Sequence, residues 1–135
     1  MNIPAPTPSI NIKISETPTE ITMFFGRLHE LAELVGSFEQ LPNLDFDAST
    51  RAAALEICLA PRDALGRRTD DEPVSLYDLT ISDGEALLDW MRAHLSDFLL
   101  GRLEKHLANL TSNAERLTGV GSSLSGLAVS ASTTP

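Results

Sequence analysis

The sequence predicts a mainly α-helical domain that opens on a short β-strand or hairpin, continues through about three helices, the last of them long, and carries disordered N- and C-terminal tails. Three observations predict it. Apolar residues recur three and four apart through most of the chain, the period of a helix with one buried face. The 135 residues are enough for one hydrophobic core and too few for two domains of ordinary size. Hydrophobic residues make up 42% and charged residues 21%, the balance of a globular chain. Composition divides the chain into a flexible Pro-rich arm (1–9), a single mainly helical domain (10–117) and a Gly/Ser/Thr-rich flexible tail (118–135).

In the arm, Pro4, Pro6 and Pro8 fix φ and remove amide donors, which favours an extended, solvated segment; a PxxP-type ligand is the alternative. Ile10, Ile12 and Ile14 then alternate with Asn11 and Lys13, as in a half-buried strand. The stretch that follows fits two elements. Thr17-Pro18-Thr19-Glu20 has the form of a capping box with proline at the first helical position. Ile21, Met23 and Phe25 also alternate, and the β-branched Thr19, Ile21 and Thr22, with the need of one strand for a partner, favour a hairpin.

From Phe25 the helical reading stands alone. Phe25, Leu28, Leu31, Ala32 and Val35 form an apolar stripe, with Arg27, Glu30 and Glu33 on the opposite face, and Gly36 ends the helix. Residues 37–46 read as a connection. Asp47 caps a second helix through about residue 60 that buries Ala54, Leu55, Cys58 and Leu59, and Pro61 stops it. Residues 62–73, with Gly66 and the run Asp70-Asp71-Glu72, lack apolar periodicity and read as an exposed loop. Residues 74–79 read as a short strand or extended link.

Ser82-Asp83-Gly84-Glu85 is a second capping box with Ile81 just before it, and it starts the longest helix. Leu87, Leu88, Met91, Leu95, Phe98, Leu99, Leu103, Leu107 and Leu110 keep helical spacing over about six turns. Gly101 costs that helix roughly 1 kcal/mol relative to alanine, which points to a bend or a close helix contact there. From Thr118 onward every residue is uncharged, and the tail reads as disordered on its own. Leu117, Val120, Leu124 and Leu127 nevertheless sit three and four apart, so the tail can close into an amphipathic helix on a partner surface.

Charge and composition exclude several partners. A net charge of -9 repels the phosphate backbone of nucleic acid and an anionic membrane surface. No apolar run approaches the roughly 18 to 20 residues that span a bilayer. The expectation is a soluble protein that binds neither nucleic acid nor membrane. The N-terminus has no basic region followed by an apolar stretch, so the protein is expected to stay in the cytoplasm where it is made. The single cysteine, Cys58, forms no internal disulfide and fits a reducing compartment.

No reactive constellation emerges from the residues. His29, His94 and His106 form no metal-binding pair of helical spacing, so neither metal nor cofactor is expected. His94 and Asp97 are spaced for an ordinary surface pair. Cys58 stands in an apolar helical context that raises its pKa and buries it. No nucleophile elbow or phosphate-binding glycine loop is present, and the chain is not expected to be an enzyme. Trp90, flanked by Leu87, Leu88 and Met91, reads as core; exposed, it would be a binding anchor. Partner contact is therefore assigned to Leu117, Val120, Leu124 and Leu127 on the tail, with Arg62 and Asp63 on the loop as a second set.

Three segments resemble the tail assembly chaperones of long-tailed bacteriophages: Ile21-Thr22-Met23-Phe24-Phe25-Gly26-Arg27-Leu28, Leu59-Ala60-Pro61-Arg62-Asp63-Ala64-Leu65-Gly66, and Leu87-Leu88-Asp89-Trp90 through His94 and Asp97-Phe98 to Leu103-Glu104. The resemblance spans residues 10–107 and lies in the order and spacing of these segments. The proline arm and Phe24 depart from the pattern. The resemblance implies a viral protein of the host cell cytoplasm that binds the tape measure protein and the tail tube protein, keeps them soluble and is absent from the virion. Two other classes remain open: a structural tail or head completion protein, and a small acidic inhibitor of a host factor.

Overall fold

The computed structural model describes residues 5–132, with side chains described through Val120. Its elements are two strands, β1 (Ser9–Ile14) and β2 (Thr17–Thr22), and four α-helices, α1 (Phe25–Val35), α2 (Asn43–Phe46), α3 (Ala48–Leu59) and α4 (Ile81–Ser132), with 3-10 turns at Phe38–Gln40 and Leu76–Asp78. The chain divides into two units, residues 1–100 and 101–135, and α4 contributes to both.

The N-terminal segment forms the hairpin. β1 and β2 pair antiparallel, with Ile12 opposite Thr19 and Ile10 opposite Ile21. The two-residue loop between Ile14 and Thr17 holds Ser15 and Glu16 at φ 48° and 68°, the positive values that match a hairpin's twist. The Ser15 amide donates to the carbonyl of Asp78 at 2.9 Å, so the turn is tied to the segment that leads into α4. Period-2 alternation buries Ile12 and Ile21 and leaves Asn11, Lys13 and Glu20 exposed. The arm is anchored where it meets β1, since the Pro8 carbonyl accepts from the Met23 amide at 2.9 Å. Residues 1–4 lie outside the described residues.

α1 follows the expected boundaries, and Gly36 takes φ 90° after it. The buried stripe is rotated from the expected one: Arg27, Leu31 and Val35, four residues apart, are buried, whereas Phe25 is 66% exposed. Residues 37–46 are also more regular than a simple connection, for they hold the first 3-10 turn and α2, which buries Leu44. α3 buries Ala54, Leu55, Cys58 and Leu59 as expected, and the Asp47 carboxylate accepts from the Ser49 amide at its start.

α4 starts two residues earlier than the Ser82 cap implies. Thr80 is the capping residue: its hydroxyl oxygen accepts from the Asp83 amide at 3.1 Å and its O–H donates to the Asp83 carboxylate at 2.8 Å. Residues 74–79, expected as a strand or link, hold the second 3-10 turn, which Ser75 and Asp78 close as a reciprocal capping box. In the first unit Leu87, Leu88, Trp90, Met91 and Leu95 of α4 join Ile12, Ile21, Leu31, Leu44 and the buried face of α3 in one core. Leu31, Leu44, Leu87, Met91 and Leu95 are each fully buried, and burial of this kind stabilises by about 1.5–3 kcal/mol per side chain. A Cβ built on Gly101 meets nothing within 4 Å.

Candidate functional site

Arg62 and Asp63, the second set assigned to partner contact, are both bonded within the chain, where they organise the loop that follows α3. Pro61 breaks the helix, and the backbone turns back so that Thr69 donates to the Pro61 carbonyl and Arg62 bridges to Arg68. The Arg62 side chain is 5% exposed. Its guanidinium donates to the Glu30 carboxylate at 2.6 Å, to the Gly66 carbonyl at 2.9 Å and to the Ile57 carbonyl at 3.1 Å. One planar fork thus joins α1, the end of α3 and the loop, a geometry that an ammonium cannot reproduce.

Asp63 accepts from the Leu65 and Arg67 amides at 2.9 and 3.0 Å and from Nε of Arg67 at 3.0 Å. The Arg67 amide leads the causes that hold its carboxyl below the ordinary 3.8. Gly66 completes the loop at φ 84°, where a Cβ would stand 2.6 Å from the Phe24 ring. The segment read as an exposed loop is therefore held at its start by a buried cation, whereas Leu65 remains 73% exposed. Apolar periodicity could not reveal this, because polar atoms do the holding.

An open pocket of about 410 Å³ lies beside this loop, lined among others by Ile21, Phe24, Arg27, Cys58 and Arg62. Arg27, only 4% exposed, donates to the Thr22 carbonyl and stands 5.9 Å from the centre of the Phe24 ring. Burial lowers its pKa, a shift the neighbouring Cys58 opposes and Arg62 reinforces. Burial also pushes the Cys58 thiol up to about 12, against the pull of both arginines. At neutral pH that thiol is protonated and a poor nucleophile. Sequence reasoning missed Arg27 as a buried residue, although its spacing of four from Leu31 placed it on the core side of α1.

The other residues singled out serve packing. Trp90 is buried, and its indole N–H donates to the Thr7 carbonyl at 2.9 Å. His94 places Nε2 2.7 Å from the same carbonyl, where the sequence suggested a pairing with Asp97. Among the described residues no three His, Cys, Asp or Glu gather to hold a metal ion, and no helix is long and apolar enough to cross a membrane.

The second unit presents a different surface. On α4 between residues 101 and 120 the exposures are 46% for Leu103, 53% for Leu107, 49% for Leu110, 71% for Leu117 and 56% for Val120. Thr111 and Thr118 return their hydroxyls to the carbonyls of Leu107 and Ala114, four residues back, and so stay within the helix. Of the four contact residues assigned to the tail, Leu117 and Val120 are on this surface. The side chains of Leu124 and Leu127 lie outside the described residues. The chain matches no protein-family model, no curated protein and no solved structure.

Proposed function

We propose that the chain is a tail assembly chaperone that uses the apolar face of α4 between residues 101 and 120 to cover helical segments of a tape measure protein, with the tail tube protein as a second client. The observation that carries this reading is the run of exposed Leu103, Leu107, Leu110 and Leu117 along one helix, with Ala114 on the turn between the last two. Single exposed leucines are ordinary, whereas a contiguous apolar stripe marks a surface built for another polypeptide. Anchors three and four residues apart suit a helix-on-helix contact. A net charge of -9 on the whole chain opposes aggregation of the chaperone with itself, which a protein carrying such a stripe needs. The choice of client rests on the resemblance of the three segments to tail assembly chaperones.

The test is co-expression with a phage tape measure protein. The intact chain keeps that protein in the soluble fraction, and Leu107→Asp with Leu110→Asp abolishes the effect while the helical circular dichroism is retained. An unchanged fraction of soluble client with and without the chain rejects the proposal. Mass spectrometry of purified particles separates it from a structural role, because a chaperone is missing from the virion.

A further inference from the structure

The exposed leucines of α4 follow a stricter rule than a general amphipathic face. Leu103, Leu107, Leu110, Ala114 and Leu117 are separated by four, three, four and three residues, the 3.5-residue repeat of a coiled-coil seam. Leucine occupies one of the two core positions at every seventh residue, 103, 110 and 117, and the sequence repeats it at Leu124. An isolated helix facing an unrelated globular surface has no need of this period, since a straight helix drifts away from it by about 20° per heptad. The repeat implies a second helix with the same repeat.

From this register we infer that α4 pairs with α4 of a second copy of this chain. Charge selects that occupant. The positions flanking the seam are Glu104, Thr111 and Thr118 on one side and His106, Asn113 and Val120 on the other, so two identical seams meet with no row of like charges between them. Residues 101–120 carry Arg102, Lys105 and Arg116 against Glu104 and Glu115, a formal surplus of one positive charge in a chain whose net charge is -9. The remainder of the chain is strongly acidic and repels its own kind. This helix is the segment on which two copies can approach without that repulsion. Ala114 at a core position lets the backbones come close, and Val120 widens the apolar stripe beside Leu117.

The paired state does not depend on the identity of the client, but it occupies the same face. A client helix that binds there displaces the second copy, so that the leucines are covered before the client arrives as well as after.

Sedimentation of the full-length chain over a dilution series tests the inference. The expected result is a dimer that dissociates on dilution. Leu110→Asp weakens self-association by about 100-fold or more, since it places a carboxylate in the seam of both copies. The neighbouring Asn109→Asp, outside the seam, leaves it unchanged, and circular dichroism verifies that both variants are folded. A wild-type chain that stays monomeric throughout overturns the inference, as does a dimer that Leu110→Asp leaves intact. A monomer that still keeps the tape measure protein soluble removes only the self-pairing, and a dimer with no effect on that client removes only the chaperone.

Discussion

The indole of Trp90 and the backbone carbonyl of Thr7 are joined by a 2.9 Å hydrogen bond across 83 residues of sequence. His94, one turn further along α4, reaches the same oxygen, and its ring meets the indole edge to face at 4.9 Å. Because the acceptor is a carbonyl, Nε2 of His94 carries the proton. The two rings fasten the end of the arm to the first unit. Trp90→Phe removes the donor and part of the indole's bulk, and it is expected to lower the unfolding free energy by about 1–3 kcal/mol in urea. Equal stability of the two chains shows that the bond contributes nothing.

Arg62 makes a different demand. Its removal leaves the carbonyls of Ile57 and Gly66 without this donor and leaves Glu30 with Arg68 as its remaining partner. Arg62→Ala is expected to destabilise by about 1–3 kcal/mol, the cost of leaving buried acceptors without their donor, because Glu30 is 34% exposed and keeps Arg68. Arg62→Lys restores charge without the fork and recovers only part of the loss. Denaturant midpoints of the three chains check both statements, and a Lys variant at full stability refutes the geometric argument.

Gly66→Ala is expected to cost about 2–4 kcal/mol. The backbone at φ 84° strains any L side chain, and the methyl group stands 2.6 Å from the Phe24 ring. Adding Phe24→Ala removes the clash and not the strain. A double variant less stable than the sum of the two single changes contradicts this division.

Acid acts through two carboxylates. The Thr50 hydroxyl is the first cause that lowers Asp47, and the Arg67 amide the first that lowers Asp63. Both groups bind a proton more readily when the chain is unfolded, so their contribution is complete above the ordinary 3.8 and is lost as pH falls through the lower folded values. Thermal midpoints should fall in that window, and less steeply in Asp63→Asn. Identical slopes in the two chains exclude Asp63 as a source.

Cys58 offers a kinetic check. A thiol pushed up to about 12 and almost fully buried should react with iodoacetamide at pH 8 only as fast as the first unit opens. Labelling in urea should be rapid and reach one group per chain. Rapid labelling of the folded chain contradicts the burial.

What could be read from the sequence was whatever apolar period encodes. The buried face of α3 and the core residues of α4 up to Leu95 follow from spacing, whereas spacing left β2 open between strand and helix, and only the β-branched residues and the need of β1 for a partner favoured the hairpin. Polar reasons decide the rest. Arg27 is buried on α1 because it finds the Thr22 carbonyl, and Arg62 because three acceptors surround it, neither of which leaves a trace in hydropathy. The start of α4 is not legible from the sequence because Ser82 and Thr80 both suit a cap, and only the hydrogen bonds of Thr80 distinguish them. The contact residues divide the same way: the apolar face that includes Leu117 was visible as a pattern, and the internal bonding of Arg62 and Asp63 was not.

The bond from the Ser15 amide to the Asp78 carbonyl also orders events on the ribosome. The strands are translated first, yet a hairpin of two strands is barely stable by itself, and Ile12 and Ile21 have no cover until the helices that bury them have emerged. Docking of the oldest part of the nascent chain thus waits for more than half of the polypeptide to leave the exit tunnel. A premature stop before α4 would release a product with an open strand edge and an unfilled core, a natural target for proteases.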